Sequence, residues 1–155
     1  MAFRIRGISP APFVPLYGLS DGQLELRGAR RYVVDEDPGF PDRIELRDAA
    51  VGATVLLVNY LHQPADTPYR ASHAIFVREG ALSVYDERDQ VPQALSVRPI
   101  SLRAFSAQHW MLDASLVSGA ALAPAIERLF GDPAVAYLHA HYATRGCYAA
   151  RIDRD

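Results

Sequence analysis

The run YLHAHYATRGCYAARI, residues 137–152, places His139 and His141 two apart on what reads as a β-strand. Side chains alternate along a strand, so both imidazoles share one face, about 6.6 Å apart along it. Cys147, the only cysteine, follows just past a turn containing Gly146. An unperturbed histidine titrates at about 6.5, so either imidazole suits general acid or base work. Cys147 is a nucleophile wherever a neighbouring imidazole or arginine favours its thiolate. His139, His141 and Cys147 are therefore the candidate catalytic groups. Arg145 and Arg151, on the same hairpin, are candidate clamps for a carboxylate or phosphate.

Whether Cys147 joins the histidines depends on the turn. A three-residue loop with Gly146 in the left-handed position pairs Ala143 with Cys147, His141 with Ala149 and His139 with Arg151. Cys147 then lies on the histidine face. A two- or four-residue loop turns it to the opposite face and sets Tyr148 across from His141. The three-residue loop is the expectation.

A second group of polar side chains lies at residues 62–72, between two apolar segments: His62, Asp66, Tyr69, Arg70 and His73 just beyond. A polar loop of this length inside a compact domain tends to be functional. It is expected to fold over the histidine face, with His62, Tyr69 and Arg70 anchoring a small anionic ligand.

Four chemistries stay open for the cluster. The histidines can be hydrogen-bonded core residues beside an inert cysteine. They can line a small-molecule or enzyme site. They can bind a metal, in which case His62, His73 or Asp66 has to complete the set, because two imidazoles are too few. Or the surface around Tyr69, Arg70 and Trp110 can serve a protein partner without chemistry. No residue is assigned as a metal ligand, no cofactor is implied and no reaction is named from sequence alone. His62, His73 and His109 taken singly read as solvated or capped residues at strand ends, His109 at the start of a strand.

The elements that position these groups read as a single α+β domain over residues 1–155, mainly antiparallel sheet. One main helix lies in the C-terminal half, with one or two short helices elsewhere. Strands are expected at 3–8, 32–34, 43–46, 54–61, 74–78, 97–105, 108–112, 134–142 and 147–152. Ser20 and Gln23 form a capping box for a short helix ending near Gly28. A charged turn at 86–90 precedes a helical piece near Pro92. The main helix spans 118–130, but Pro124 conflicts with a straight start at Gly119, so it kinks there or begins near Ala123.

Composition narrows the chemistry. All sixteen basic residues are arginine, so Schiff-base and P-loop lysine chemistry is excluded. A formal net charge of −2 with scattered arginines is a poor nucleic-acid footprint. No signal peptide or membrane span is recognised, and the cytoplasm is the expected compartment. Oligomeric state is not legible.

The segments YLHAHYATRGCYAARID, LHQPADTPYRASHAIFVRE and AIERLFGDP resemble a bacterial family of unknown function, DUF1203, over nearly the whole chain. The resemblance supplies no activity, cofactor or site residue. Two positions depart from the family's pattern. Tyr142 stands where Asn is typical, and Ser72-His73-Ala74 stands where Ser-Gly-Pro precedes IFVR.

Overall fold

The computed structural model describes residues 2–155. Its frame is two antiparallel sheets. The larger has six strands: β1 (Phe3–Arg6), β5 (Asp86–Arg88), β6 (Pro99–Phe105), β7 (Met111–Ser118), β8 (Tyr137–Tyr142) and β9 (Tyr148–Arg154), in the order β5-β1-β9-β8-β6-β7. The smaller has β2 (Arg30–Val33), β3 (Thr54–Gln63) and β4 (Ala71–Arg78), with β3 central. The described residues form three α-helices: α1 (Asp21–Leu26), α2 (Gln93–Ser96) and α3 (Leu122–Phe130). The expected α+β class, with a mainly antiparallel sheet and its main helix in the C-terminal half, is what forms.

At β8 the large sheet is buried on both faces, which is why that strand lacks a polar-out alternation. Leu138, Ala140 and Tyr142 pack with Leu122, Ile126 and Leu129 of α3 in one core. On the other face Tyr148 joins Leu56, Val58, Ile75 and Val77 of the small sheet. His139 and His141 therefore point between the two sheets.

Local signals hold where the chemistry is local. Ser20 Oγ accepts from the Gln23 backbone, and the Gln23 side chain accepts from the Ser20 backbone, so the capping box is complete. The chain reaches α3 through a 3-10 turn at Gly119–Ala121, and α3 starts at Leu122. Pro124 then lies in the first turn, where a missing N–H costs no helical bond. The polypeptide before it is strand rather than helix, because β7 continues to Ser118 paired with Pro99.

Residues 43–46 are a turn and not the expected strand. The buried Asp42 carboxylate accepts from the Ile44 and Glu45 backbones at 3.2 and 2.5 Å, and from the Arg78 backbone at 2.6 Å. A side chain thus takes the donors that a strand would give to a neighbour. The 62–72 loop is also shorter than expected. β3 runs on to Gln63 and β4 begins at Ala71, so His62 and His73 are strand residues. His109 sits in the β6–β7 turn at φ +68°, not on a strand.

Gly7 sets the approach of β1's end to the 43–46 turn. A Cβ there would lie 2.0 Å from the Ile44 carbonyl oxygen. Gly7→Ala is expected to cost about 2–3 kcal/mol, as overpacking against backbone does. The check is a fall in the urea midpoint at unchanged m-value. A midpoint equal to wild type would show that the turn moves freely.

Candidate metal centre

The β8–β9 turn departs from the expected register. Tyr142 N–H donates to the Cys147 carbonyl at 2.9 Å, enclosing the four residues 143–146. Ala143 cannot pair with Cys147 because its N–H goes to Pro99 O on the neighbouring strand, at 3.0 Å. His141 is accordingly paired with Tyr148, not Ala149. A bulge then restores the register, so that Ala140 meets Ala150 and His139 meets Arg151 as expected. Gly146 does take the left-handed conformation, φ +79°. Cys147 packs against the helix-side core, on the far face from the histidines.

What faces His139 and His141 comes from the small sheet. Leu56, Val58 and Tyr60 carry the inward face of β3, and His62 continues that alternation. On β4, His73 is paired with Tyr60 and continues the face of Ile75 and Val77. Packing one sheet on the other sets the His62 ring 6.0 Å from His139 and 5.0 Å from His141. One ring nitrogen from each of the three lies within 4.8 Å of the others. His73 is adjacent, 5.4 Å from His62 and 6.0 Å from His141 between ring centres. Tyr148 stacks on His62 at 5.3 Å and backs the cluster.

Partners are unevenly supplied. His141 Nδ1 is 2.9 Å from the Gly146 carbonyl. That oxygen only accepts, so Nδ1 carries the proton and Nε2 is left as a bare lone pair. Both ring nitrogens of His62 and Nδ1 of His139 are buried without any partner. The three residues are 8%, 3% and 1% exposed for His62, His139 and His141.

Burial holds these imidazoles neutral. It pushes His62 down to about 4, with help from His73 and Arg103. It pushes His139 down to about 3, aided by His141, His62, Arg151 and Arg103. His141 falls to about 3 through burial, against the raising effect of its Gly146 bond, with Arg103, His62 and His73 adding to the fall. Neutral imidazole is the form that ligates a metal.

The other expected site residues are dispersed. Tyr69 closes over the aromatic wall, edge-on to Phe105 and Trp110, and Phe105 touches His139 at 5.2 Å. Arg70 turns away, its guanidinium donating to the Pro64 carbonyl. Asp66 is exposed in the same loop. Arg151 lies over the Tyr137 ring at 4.0 Å and pairs with Asp153. Arg145 and Cys147 line a cavity at the hairpin's end, which His73 also borders. Arg103, paired with His139 across β6 and β8, was not singled out from sequence. Only the register of β6 against β8 reveals that it shares the histidine face.

Residues 39–154 match a family described as a protein of unknown function, DUF1203. No curated protein and no solved structure matches.

Proposed function

We propose that this chain, which belongs to the DUF1203 family, binds one divalent transition metal, zinc foremost, through His62, His139 and His141. The observation that carries this is the convergence of buried imidazole nitrogens without protein partners. A buried polar atom left unpaired costs roughly 1–3 kcal/mol. A core selected only for packing would hold apolar rings here. A metal ion satisfies the lone pairs of all three rings at once.

Three neutral imidazoles suit zinc, copper, nickel or iron rather than magnesium or calcium. Zinc bonds of about 2.0–2.1 Å draw ligand atoms closer than 4.8 Å, so the rings tighten on loading. Three protein ligands leave a fourth position open, as at catalytic rather than structural zinc sites. A zinc ion held so acidifies a water on that position toward neutral pH. Arg103 adds positive charge beside the cluster, which favours an anion or hydroxide there. His73 is adjacent, but its nitrogens are not among those that converge within 4.8 Å, so the triad is assigned without it.

Titration of metal-free protein with zinc is expected to show one site per chain. At a hundredfold excess over Kd the stability gain is about 2.7 kcal/mol, read as a rise in Tm. His139→Ala abolishes the rise and His73→Ala keeps most of it. Cobalt in the wild-type chain, giving the visible bands of a four-coordinate nitrogen site, covers the case in which His139→Ala fails to fold. No rise with zinc, cobalt or copper, or an undiminished rise in His139→Ala, would sink the proposal.

A further inference from the structure

A cavity of about 600 Å³ opens beside the β8–β9 turn, on the side of Cys147. Two of its arginines differ in their partners. Arg98 is neutralised by Asp48, with contacts of 2.9 and 2.5 Å. Arg43 is 1% exposed and has no carboxylate partner among the described residues. Its guanidinium donates to the carbonyls of Tyr148 and Pro41, at 2.9 and 2.6 Å, and to Cys147 Sγ at 3.2 Å. A guanidinium has five N–H donors. Two of them, and a full buried charge, are left over.

A second unpaired group belongs to the tyrosine whose ring Arg43 lies over. The Tyr142 hydroxyl is buried without a partner, although Tyr142 forms part of the cavity wall. The Arg43 and Arg98 guanidiniums lie 4.8 and 5.2 Å from the centre of its ring. Arg145, exposed at the same cavity, makes no ion pair among the described residues. Much of the remaining wall is aromatic: Tyr32, Phe40 and Phe76. Glu36 is the one carboxylate lining it, and it is exposed.

Buried charge without a counter-charge is costly, and buried donors without acceptors add to the cost. We propose that the cavity binds a small carboxylate with a flat apolar body. Its carboxylate takes the spare Arg43 N–H groups and the Tyr142 hydroxyl, Arg145 approaches from the rim, and its body lies among the aromatic side chains. Phosphate fits less well, because the aromatic side chains that form much of the wall offer its oxygens no hydrogen bonds. The anionic ligand expected from sequence thus moves from the 62–72 loop to the opposite side of the hairpin. Of the residues named for it, Arg145 stays, and Cys147, expected as a catalytic group, is a wall residue.

Benzoate is the probe, with benzyl alcohol as its uncharged counterpart and inorganic phosphate as the competing anion. Binding is measured calorimetrically on metal-free protein, so the outcome stands apart from the metal reading. The second readout is the rate at which iodoacetamide alkylates Cys147, followed by mass. Benzoate is expected to bind saturably and to slow alkylation at least about fivefold at saturation. Benzyl alcohol and phosphate do neither. Tyr142→Phe weakens benzoate about ten- to a hundredfold, the worth of one hydrogen bond to an anion. Arg145→Ala weakens it several-fold, more at low salt than at high. The readout does not depend on an Arg43 variant, whose loss would also free the turn. Failure of benzoate to saturate, no protection of Cys147, unchanged affinity in Tyr142→Phe, or tighter binding of phosphate than of benzoate each overturns the proposal.

Discussion

Metal-free protein is expected to lose roughly 6 kcal/mol of stability between pH 7 and pH 5, about 2 kcal/mol for each of three histidines. The sign follows from proton counting. His62, His139 and His141 have folded-state values lowered to about 4, 3 and 3 from an ordinary 6.5. Between those limits the unfolded chain binds protons that the folded chain refuses. Stability is therefore complete above pH 6.5 and is lost as pH falls toward the folded-state values. A loss of that size rivals the whole stability of a typical domain, so acid unfolding is expected near pH 5. Carboxylates cannot mimic this. Arg31 and further donors hold Glu79 at about 2 against an ordinary 4.5, so that contribution is lost only below about 4.5, outside the interval from pH 7 to pH 5. Urea unfolding at half-unit pH steps gives the slope, which should approach three protons per chain. His139→Leu should reduce it by one. A wild-type slope below one proton would mean that the imidazoles are hydrated and not buried as neutral groups. Zinc steepens the loss, because protons and metal compete for the same lone pairs.

How far this site was legible depends on the range of the interaction that builds it. The α1 capping box spans four residues and was fully readable, as was the displacement of the α3 start by Pro124. The common face of His139 and His141 follows from strand period alone. The turn at 43–46 was not readable, because an Asp42 side chain outcompetes strand pairing there and nothing in its neighbours announces that. The hairpin register failed for a tertiary reason: Pro99 on β6 claims the Ala143 N–H. The bulge that follows repairs the pairing of His139 with Arg151, so one local preference was right at the far end and wrong at the turn.

The third histidine was one of three candidates in sequence, with His73 and Asp66, and only the fold selects it. His62 and His139 are 77 positions apart, and only the packing of one sheet on the other makes them neighbours. The loop reading placed His62 near the cluster for a different reason, and it overreached with Arg70, which bonds its own loop. Arg43 shows the reverse case. Sequence placed it only at the start of an expected strand, yet it is among the most buried side chains of the described residues. Its three hydrogen bonds tie the 43–46 turn to the returning strand β9 and carry the guanidinium into the cavity wall.

The same cavity wall makes Asp48→Ala the largest single-site effect expected, a loss of about 3–5 kcal/mol. The Asp48 side chain is 2% exposed and Arg98 17%. Its carboxylate accepts twice from Arg98 and once from the Gly39 backbone, at 3.1 Å. Burial alone would raise its affinity for a proton. Hydrogen bonds and charge from Arg98, with Gln93 and Gly39, outweigh that and hold it below the ordinary carboxylate value. Alanine removes the acceptor of a guanidinium that cannot follow it into water. Asp48→Asn keeps an acceptor for Gly39 and one Arg98 nitrogen, and should cost about half as much. Arg98 lies over the Tyr142 ring, so losing Asp48 leaves two uncompensated cations beside one hydroxyl. Benzoate affinity should then rise while stability falls. Disruption of the fold alone would lower both, so opposite signs in urea midpoint and benzoate Kd separate lost charge pairing from general damage. A destabilisation under about 1 kcal/mol would place the Asp48–Arg98 pair among solvent-screened surface pairs, contrary to its burial.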